Sequence, residues 1–137
     1  MIPERESLAR HRLTLARESL AEGDALLAAG HLRGTVNRYY YAAFYAARAL
    51  LSVKAKDSAR HSGVIALFQR EFVAPGHFDA ETASALARTF ARRVKTDYAD
   101  YAPLSDQLAA AIRGEVMKFV DECARLLDTL PAEPAQE

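Results

Sequence analysis

The stretch VNRYYYAAFYAARALL, residues 36–51, decides the fold class. Its apolar positions recur every three or four residues, which is the period of one helix face and not the alternation of a strand. The positions on this stripe are Val36, Tyr40, Ala43, Phe44, Ala47, Leu50 and Leu51. Such a stripe predicts a long helix whose apolar face lies in a hydrophobic core.

Working outward from this stretch, the same period recurs in four other segments. The five predicted helices cover residues 3–29, 31–53, 59–73, 80 to 98 or 101, and 106–130. Asp79 and Ser105 are suitable N-caps for the last two helices, and Pro103 ends the fourth. In the first helix, the residues predicted to share one face are Leu8, Leu15, Ser19 and Leu26. The loop between the second and third helices is predicted at residues 54–58.

These elements predict an all-α fold, an up-and-down helical bundle of about five helices. No strand-like alternation, internal repeat or linker divides the chain of 137 residues, which has the length of a single domain. We therefore predict one domain over residues 1–130, followed by a flexible C-terminal tail rich in Pro, Ala and acid over residues 131–137.

Composition narrows the possible functions. With 18 basic and 18 acidic residues the net charge is zero, so no bulk attraction to nucleic acid or to a membrane is predicted. Cys123 is the single cysteine, which excludes an intramolecular disulfide and a Cys-based zinc site. No motif for a metal or a cofactor is present. Because there is neither a signal peptide nor an apolar run long enough for a membrane span, a cytoplasmic location is expected.

One face of the second helix is rich in Tyr and Arg. Arg38, Tyr41, Tyr45 and Arg48 follow at spacings of 3, 4 and 3, so their side chains share this face. Tyr and Arg are enriched at interface hot spots, and both stack on bases. We therefore consider them candidates for binding a nucleotide or a partner. The alternative is that the tyrosines fill the core while the arginines pair with acids.

Two further candidates lie on the third and fourth helices. Arg93 and Asp97 are one turn apart, and an Arg held by a carboxylate could meet a phosphate; the alternative is a local ion pair. His61 has a side chain suited to acid–base chemistry if a partner is present, although a lone His at a helix start is usually a capping or packing residue.

Three segments in this order resemble the HEPN family (higher eukaryotes and prokaryotes nucleotide-binding), in its small stand-alone prokaryotic branch. They are NRYYYAAF at residues 37–44 with ARALL at 47–51, HSGV at 61–64 with Phe68 and Phe72, and Arg93 with Asp97 and Tyr98. The resemblance implies a homodimer, and association with a small nucleotidyltransferase in a two-gene, toxin–antitoxin-like system. It also implies that many relatives are metal-independent endoribonucleases.

The family's catalytic signature is Arg, four to six residues, and then His on the fourth helix. Arg93 matches the Arg, but Tyr98 stands at a position of the His, and no His follows Arg93. His61, on the neighbouring predicted helix, is a candidate to replace that His. Tyr98 and Tyr101 lie near the place where some HEPN toxins carry a modified tyrosine.

Three hypotheses follow. The first is a dimeric HEPN protein that binds nucleotide, RNA or a nucleotidyltransferase partner without cutting RNA, with Arg38, Tyr41, Tyr45, Arg48 and Tyr101 as binding residues. The second is a metal-independent endoribonuclease toxin with an altered site at Arg93, Asp97, Tyr98 and His61. The third is an unrelated helical interaction module that shares only the architecture.

Overall fold

All regular secondary structure in the part of the chain that the structure describes, residues 2–130, is helical. In this computed structural model the helices are α1 (Pro3–Ala28), α2 (Leu32–Val53), α3 (His61–Phe68), α4 (Ala80–Tyr98) and α5 (Asp106–Thr129). A π-helical turn, Gln69–Val73, continues α3. The predicted all-α bundle of five helices is confirmed. The predicted tail, residues 131–137, lies outside the described range.

Contacts between side chains fix the helix directions. α1 and α5 run antiparallel, because the residue numbers of the ion-paired partners fall along α5 as those of α1 rise. The pairs are Arg10 with Asp128, Arg17 with Asp121, and Asp24 with Arg113. The start of α2 contacts the end of α4 through Arg33 and Thr96, whereas Tyr40 further along α2 contacts Phe90. The four long helices therefore alternate up, down, up and down, and the short α3 connects the second to the third.

α2 is the central helix, and it packs against each of the other four helices. Most of its side chains are buried, including Tyr39 and Tyr40, which have no exposed surface. The aromatic residues Phe68, Phe72, Phe78 and Phe119 form a second buried group beside it, with ring centroids 5.3 to 5.5 Å apart. The stripe predicted on residues 36–51 is thus the centre of the core.

α4 and α5 begin at the N-cap residues predicted from the sequence. The Asp79 carboxylate accepts a hydrogen bond from the Thr82 N–H at 3.0 Å, and the Ser105 hydroxyl accepts one from the Leu108 N–H at 3.1 Å. Gly30, between α1 and α2, has a φ of +83°, a conformation that favours glycine. The predicted start of α3 at residue 59 is two residues early, because the chain is still extended at Arg60.

The predicted apolar face of α1 is wrong in detail. Ser19 of the predicted face is buried, but Leu8 is 42% exposed. The face that meets the core is made mostly of small residues: Ala9, Ala16, Ser19, Leu20 and Gly23. At Gly23 an added Cβ would lie 2.5 Å from the Tyr39 ring. Small residues here let the backbone of α1 approach α2 more closely than leucines would.

Candidate functional site

His61 and Tyr40 form the centre of a cluster between α2, α3 and α4. The Tyr40 hydroxyl oxygen lies 2.5 Å from His61 Nδ1, although the two residues are 21 positions apart. The His61 ring stacks on Phe44 with centroids 4.4 Å apart, and on Phe90 of α4 at 5.9 Å. Three neighbouring side chains thus fix the orientation of this imidazole.

Arg93 brings a positive charge to the same cluster. Its guanidinium carbon lies 5.6 Å from the centroid of the Tyr40 ring and 5.5 Å from that of Tyr41, within the range of cation–π attraction. Its Nε lies 3.1 Å from a carboxylate oxygen of Asp97 but is buried and makes no hydrogen bond. The side chain is 23% exposed. Arg93 is therefore held in place by Asp97 and the two tyrosine rings, while part of its side chain remains at the surface.

The ionisation of the cluster follows from burial and from the arginines. Burial, followed by the charges of Arg93 and Arg48, lowers the pKa of His61 below its usual value of 6.5. Burial also raises the pKa of the Tyr40 hydroxyl. At neutral pH, His61 is therefore a neutral imidazole and Tyr40 a neutral phenol.

The direction of the Tyr40–His61 hydrogen bond decides what His61 can do. If Tyr40 donates to Nδ1, the imidazole proton is on Nε2 and His61 can donate a hydrogen bond to a ligand. If Nδ1 donates to Tyr40, Nε2 carries a lone pair and can accept a proton. The first arrangement suits the binding of an anion, and the second suits general-base catalysis.

The Tyr/Arg face of α2 borders this cluster. The Arg38 guanidinium carbon lies 4.8 Å from the Tyr41 ring centroid, and the Tyr45 ring is 6.1 Å from that of Tyr41. Arg38 and Arg48 also pair with acids: Arg38 lies 3.4 Å from Glu22, and Arg48 lies 2.8 Å from Asp57. The predicted face therefore exists, and its arginines are partly engaged within the protein.

Tyr98 and Tyr101 lie outside the cluster. Their exposed fractions are 85% and 97%, so both side chains project into solvent at the end of α4. Arg33 of α2 holds the backbone here, because its guanidinium donates to the carbonyl oxygens of Thr96, of Ala99 at 2.9 Å and of Asp100 at 3.0 Å. Among the predicted catalytic residues, the structure brings His61, Arg93 and Asp97 together and leaves Tyr98 apart.

Sequence reasoning did not identify Tyr40, Phe44 and Phe90 as site residues. The core stripe predicted on residues 36–51 includes Tyr40 and Phe44, and both are buried. One signal was available: Phe90 precedes Arg93 by three residues, and Phe44 follows Tyr40 by four, so each pair shares a helix face. Nothing in the sequence placed these faces on either side of His61.

Residues 2–130 contain no group of three or more His, Cys, Asp or Glu side chains that could hold a metal ion. Cys123 is completely buried, which raises the pKa of its thiol and disfavours the thiolate needed for metal binding. In the same range, none of the helices combines the length and the apolar character needed to cross a membrane.

The fold and the cluster together define a class of protein. It is an up-and-down helical bundle with Arg, Tyr and His side chains clustered between three of its helices, α2, α3 and α4. The family model described as "HEPN domain" matches residues 9–127. The chain belongs to the HEPN family, as the resemblance of its three segments predicted.

Individual relatives support this assignment. The chain is 33% identical over 127 residues to a UPF0332 protein of Thermotoga maritima, and the alignment covers 93% of this chain and 96% of the relative. It is 31% identical over 115 residues to a Methanocaldococcus jannaschii protein named "Putative toxin MJ0605", covering 84% of this chain and 85% of the relative. A second protein of that organism, named "Putative toxin MJ0142", is 31% identical over 83 residues, covering 61% of this chain and 56% of the relative.

Proposed function

We propose that this HEPN protein is the toxin-like component of a two-gene system, and that it binds a nucleotide or RNA phosphate at Arg93. The observation that carries the proposal is the position of Arg93, whose guanidinium lies beside Asp97 and over two tyrosine rings while its side chain remains 23% exposed. An Arg that is held in this way at the surface can form charge-assisted hydrogen bonds to an anionic ligand such as a phosphate.

The surroundings of Arg93 favour a phosphate over a carboxylate side chain. Arg38 lies over the same Tyr41 ring, and a neutral His61 adds a hydrogen-bond donor or acceptor without another charge. Tyr41 is half-buried and contacts His61 with ring centroids 5.8 Å apart, so part of its surface remains available to a base. Guanidinium, imidazole and phenol groups together match the phosphate and base of a nucleotide.

The system-level part of the proposal rests on the family and on the relatives' names. Two relatives carry the word toxin in their names. Homodimerisation and a nucleotidyltransferase partner are part of the same proposal. A neighbouring reading frame that encodes a Gly-Ser pair followed by paired aspartates would support it, whereas a gene with no such neighbour and a monomeric protein in solution would contradict it.

The binding step is tested by equilibrium dialysis with ATP, GTP, CTP and UTP. We expect wild type to bind at least one of them, and Arg93→Ala to bind it about 10-fold or more weakly, because charge-assisted hydrogen bonds contribute about 1.5–3 kcal/mol. Arg125→Gln is the matched control, since Arg125 lies on the exposed side of α5 and pairs with Glu122 of its own helix. Equal binding by wild type and Arg93→Ala would place the nucleotide elsewhere.

A second function, metal-independent RNA cleavage, is favoured by one observation. His61 of α3 joins the Arg93 cluster, where it can replace the histidine that α4 lacks. The test is incubation of labelled total RNA with purified protein in EDTA. Cleavage by wild type and Arg125→Gln that is lost in both His61→Ala and Arg93→Ala would establish this activity. Binding without cleavage would leave the non-catalytic function.

A further inference from the structure

The outer side of α4 carries a ridge of basic and aromatic side chains, away from the Arg93 cluster. Arg88, Arg92, Lys95 and Tyr98 follow at spacings of 4, 3 and 3, so they share one helix face, and all four are exposed. Tyr101 lies three residues beyond the end of α4. We call these five residues the α4 ridge. Its helical part is about 15 Å long, at a rise of about 1.5 Å per residue.

The charges on the ridge are only partly compensated. Arg88 lies 3.5 Å from Glu81 and 3.4 Å from Glu115, so its charge is shared with two carboxylates. Arg92 and Lys95 form no ion pair among residues 2–130, and with Arg88 they line an open depression of about 270 Å³. The chain has no net charge, so this local excess is a property of the α4 surface.

The aromatic end of the ridge carries exposed side chains on a backbone that Arg33 holds. Large aromatic side chains are usually buried, but Tyr98 and Tyr101 are 85% and 97% exposed. Their backbone is held by Arg33, whose guanidinium donates to the Thr96, Ala99 and Asp100 carbonyl groups. A clamped backbone with two exposed rings presents flat surfaces at a small entropic cost of binding.

We propose that the α4 ridge binds single-stranded RNA, with phosphates along Arg88, Arg92 and Lys95 and with bases stacked on Tyr98 and Tyr101. Cations that follow a backbone and aromatic rings that accept unpaired bases are the two elements of single-strand binding. An acidic protein partner would account for the cations but not for two exposed aromatic rings. The inference rests on the proposed function, because the ridge would guide RNA to the Arg93 cluster on the other side of the same helix.

The test is fluorescence anisotropy with a labelled oligouridine of about 12 nucleotides, a length within the range that single-strand sites cover. Tyr98→Ala combined with Tyr101→Ala should weaken binding roughly 10-fold or more, because stacking of each base contributes measurably. Tyr98→Phe combined with Tyr101→Phe keeps the rings, and should therefore bind like wild type. This pair of variants separates stacking from any role of the hydroxyl groups.

The contribution of the basic residues of the ridge is measured by the salt dependence of oligouridine binding. For single strands, the slope of log affinity against log salt concentration is about −0.7 per phosphate contacted. Lys95→Gln should therefore make the slope about 0.7 less negative, whereas Lys56→Gln, in the exposed loop after α2, should leave it unchanged. An equal change in both variants would show diffuse attraction and overturn the proposal.

Three further results would overturn it: no oligouridine binding by wild type at about 50 mM salt, full affinity in the double alanine variant, or equal affinity for a duplex, whose base faces are hidden. Arg93→Ala distinguishes this inference from the proposed function. It should weaken nucleotide binding in dialysis about 10-fold or more but leave oligouridine binding within about 3-fold of wild type, because Arg93 lies off the ridge.

Discussion

At the scale of single residues, the cluster around Tyr40 depends on the charge states of His61 and Arg93. His61 has a lowered pKa chiefly because it is buried, and next because the positive charge of Arg93 opposes protonation. Removing this charge in Arg93→Gln should therefore raise the pKa of His61. Proton NMR of the imidazole carbon-bound protons, followed through a pH titration, measures the change directly.

Arg125→Gln is the control for this titration, because Arg125 lies on α5 and does not contribute to the pKa of His61. An unchanged His61 pKa in Arg93→Gln would mean that the two side chains do not interact.

The lowered pKa of His61 also determines how this residue affects the stability of the fold as the pH changes. Because the folded pKa of His61 is below its unfolded value of about 6.5, the fold is stabilised above that pH and loses this contribution as the pH falls through the folded pKa.

At the scale of helices, the contact between α1 and α2 depends on small side chains. An added Cβ at Gly23 would lie 2.5 Å from two carbons of the buried Tyr39 ring, whereas one at Gly114 of α5 would contact nothing within 4 Å. Gly23→Ala should therefore lower the free energy of unfolding by about 1–3 kcal/mol through overpacking. Gly114→Ala should raise it by about 0.5–1 kcal/mol, because alanine is the better helix former.

Urea denaturation of both variants tests this comparison. The same change, glycine to alanine within a helix, should have opposite signs at the two positions. If Gly23→Ala were as stable as wild type, the Tyr39 ring would have to move away at no cost, and the close approach of α1 and α2 would not depend on Gly23.

The limits of prediction from sequence are visible in the same helices. α2 and α5 combine large apolar residues with a clear period, so both were predicted within two residues of their ends. In α1, small residues (Ala, Ser and Gly) form most of the face that meets the core. A prediction from apolar periodicity gives such small residues little weight. The ion pair of Arg93 with Asp97 is local and could be predicted from its spacing. The hydrogen bond of His61 to Tyr40 joins two helices across a loop and depends on tertiary packing, which the local pattern does not encode.

At the scale of the whole molecule, three ion pairs connect the first helix to the last and match their antiparallel directions. Arg10–Asp128 and Arg17–Asp121 are exposed on both sides, so each contributes at most about 1 kcal/mol. Asp24 differs, because it accepts two hydrogen bonds from Arg113, at 2.7 and 2.9 Å, and one from the buried Tyr39 at 2.6 Å. It therefore connects α1, α2 and α5 at one point.

This difference predicts unequal effects of the same substitution. Asp24→Asn should lower the free energy of unfolding by about 1–2 kcal/mol, a value reduced for its partial exposure, whereas Asp121→Asn should lower it by less than about 0.5 kcal/mol.

The Arg113 hydrogen bonds, partly opposed by desolvation and aided by Tyr39, lower the pKa of Asp24. Wild type should therefore exceed Asp24→Asn in stability above the unfolded pKa of about 3.9, and this advantage should disappear as the pH falls through the folded pKa. Urea midpoints of the three proteins at several pH values test both statements. Equal losses in the two variants, or a difference that does not depend on pH, would mean that Asp24 connects the helices no more strongly than the exposed pairs do.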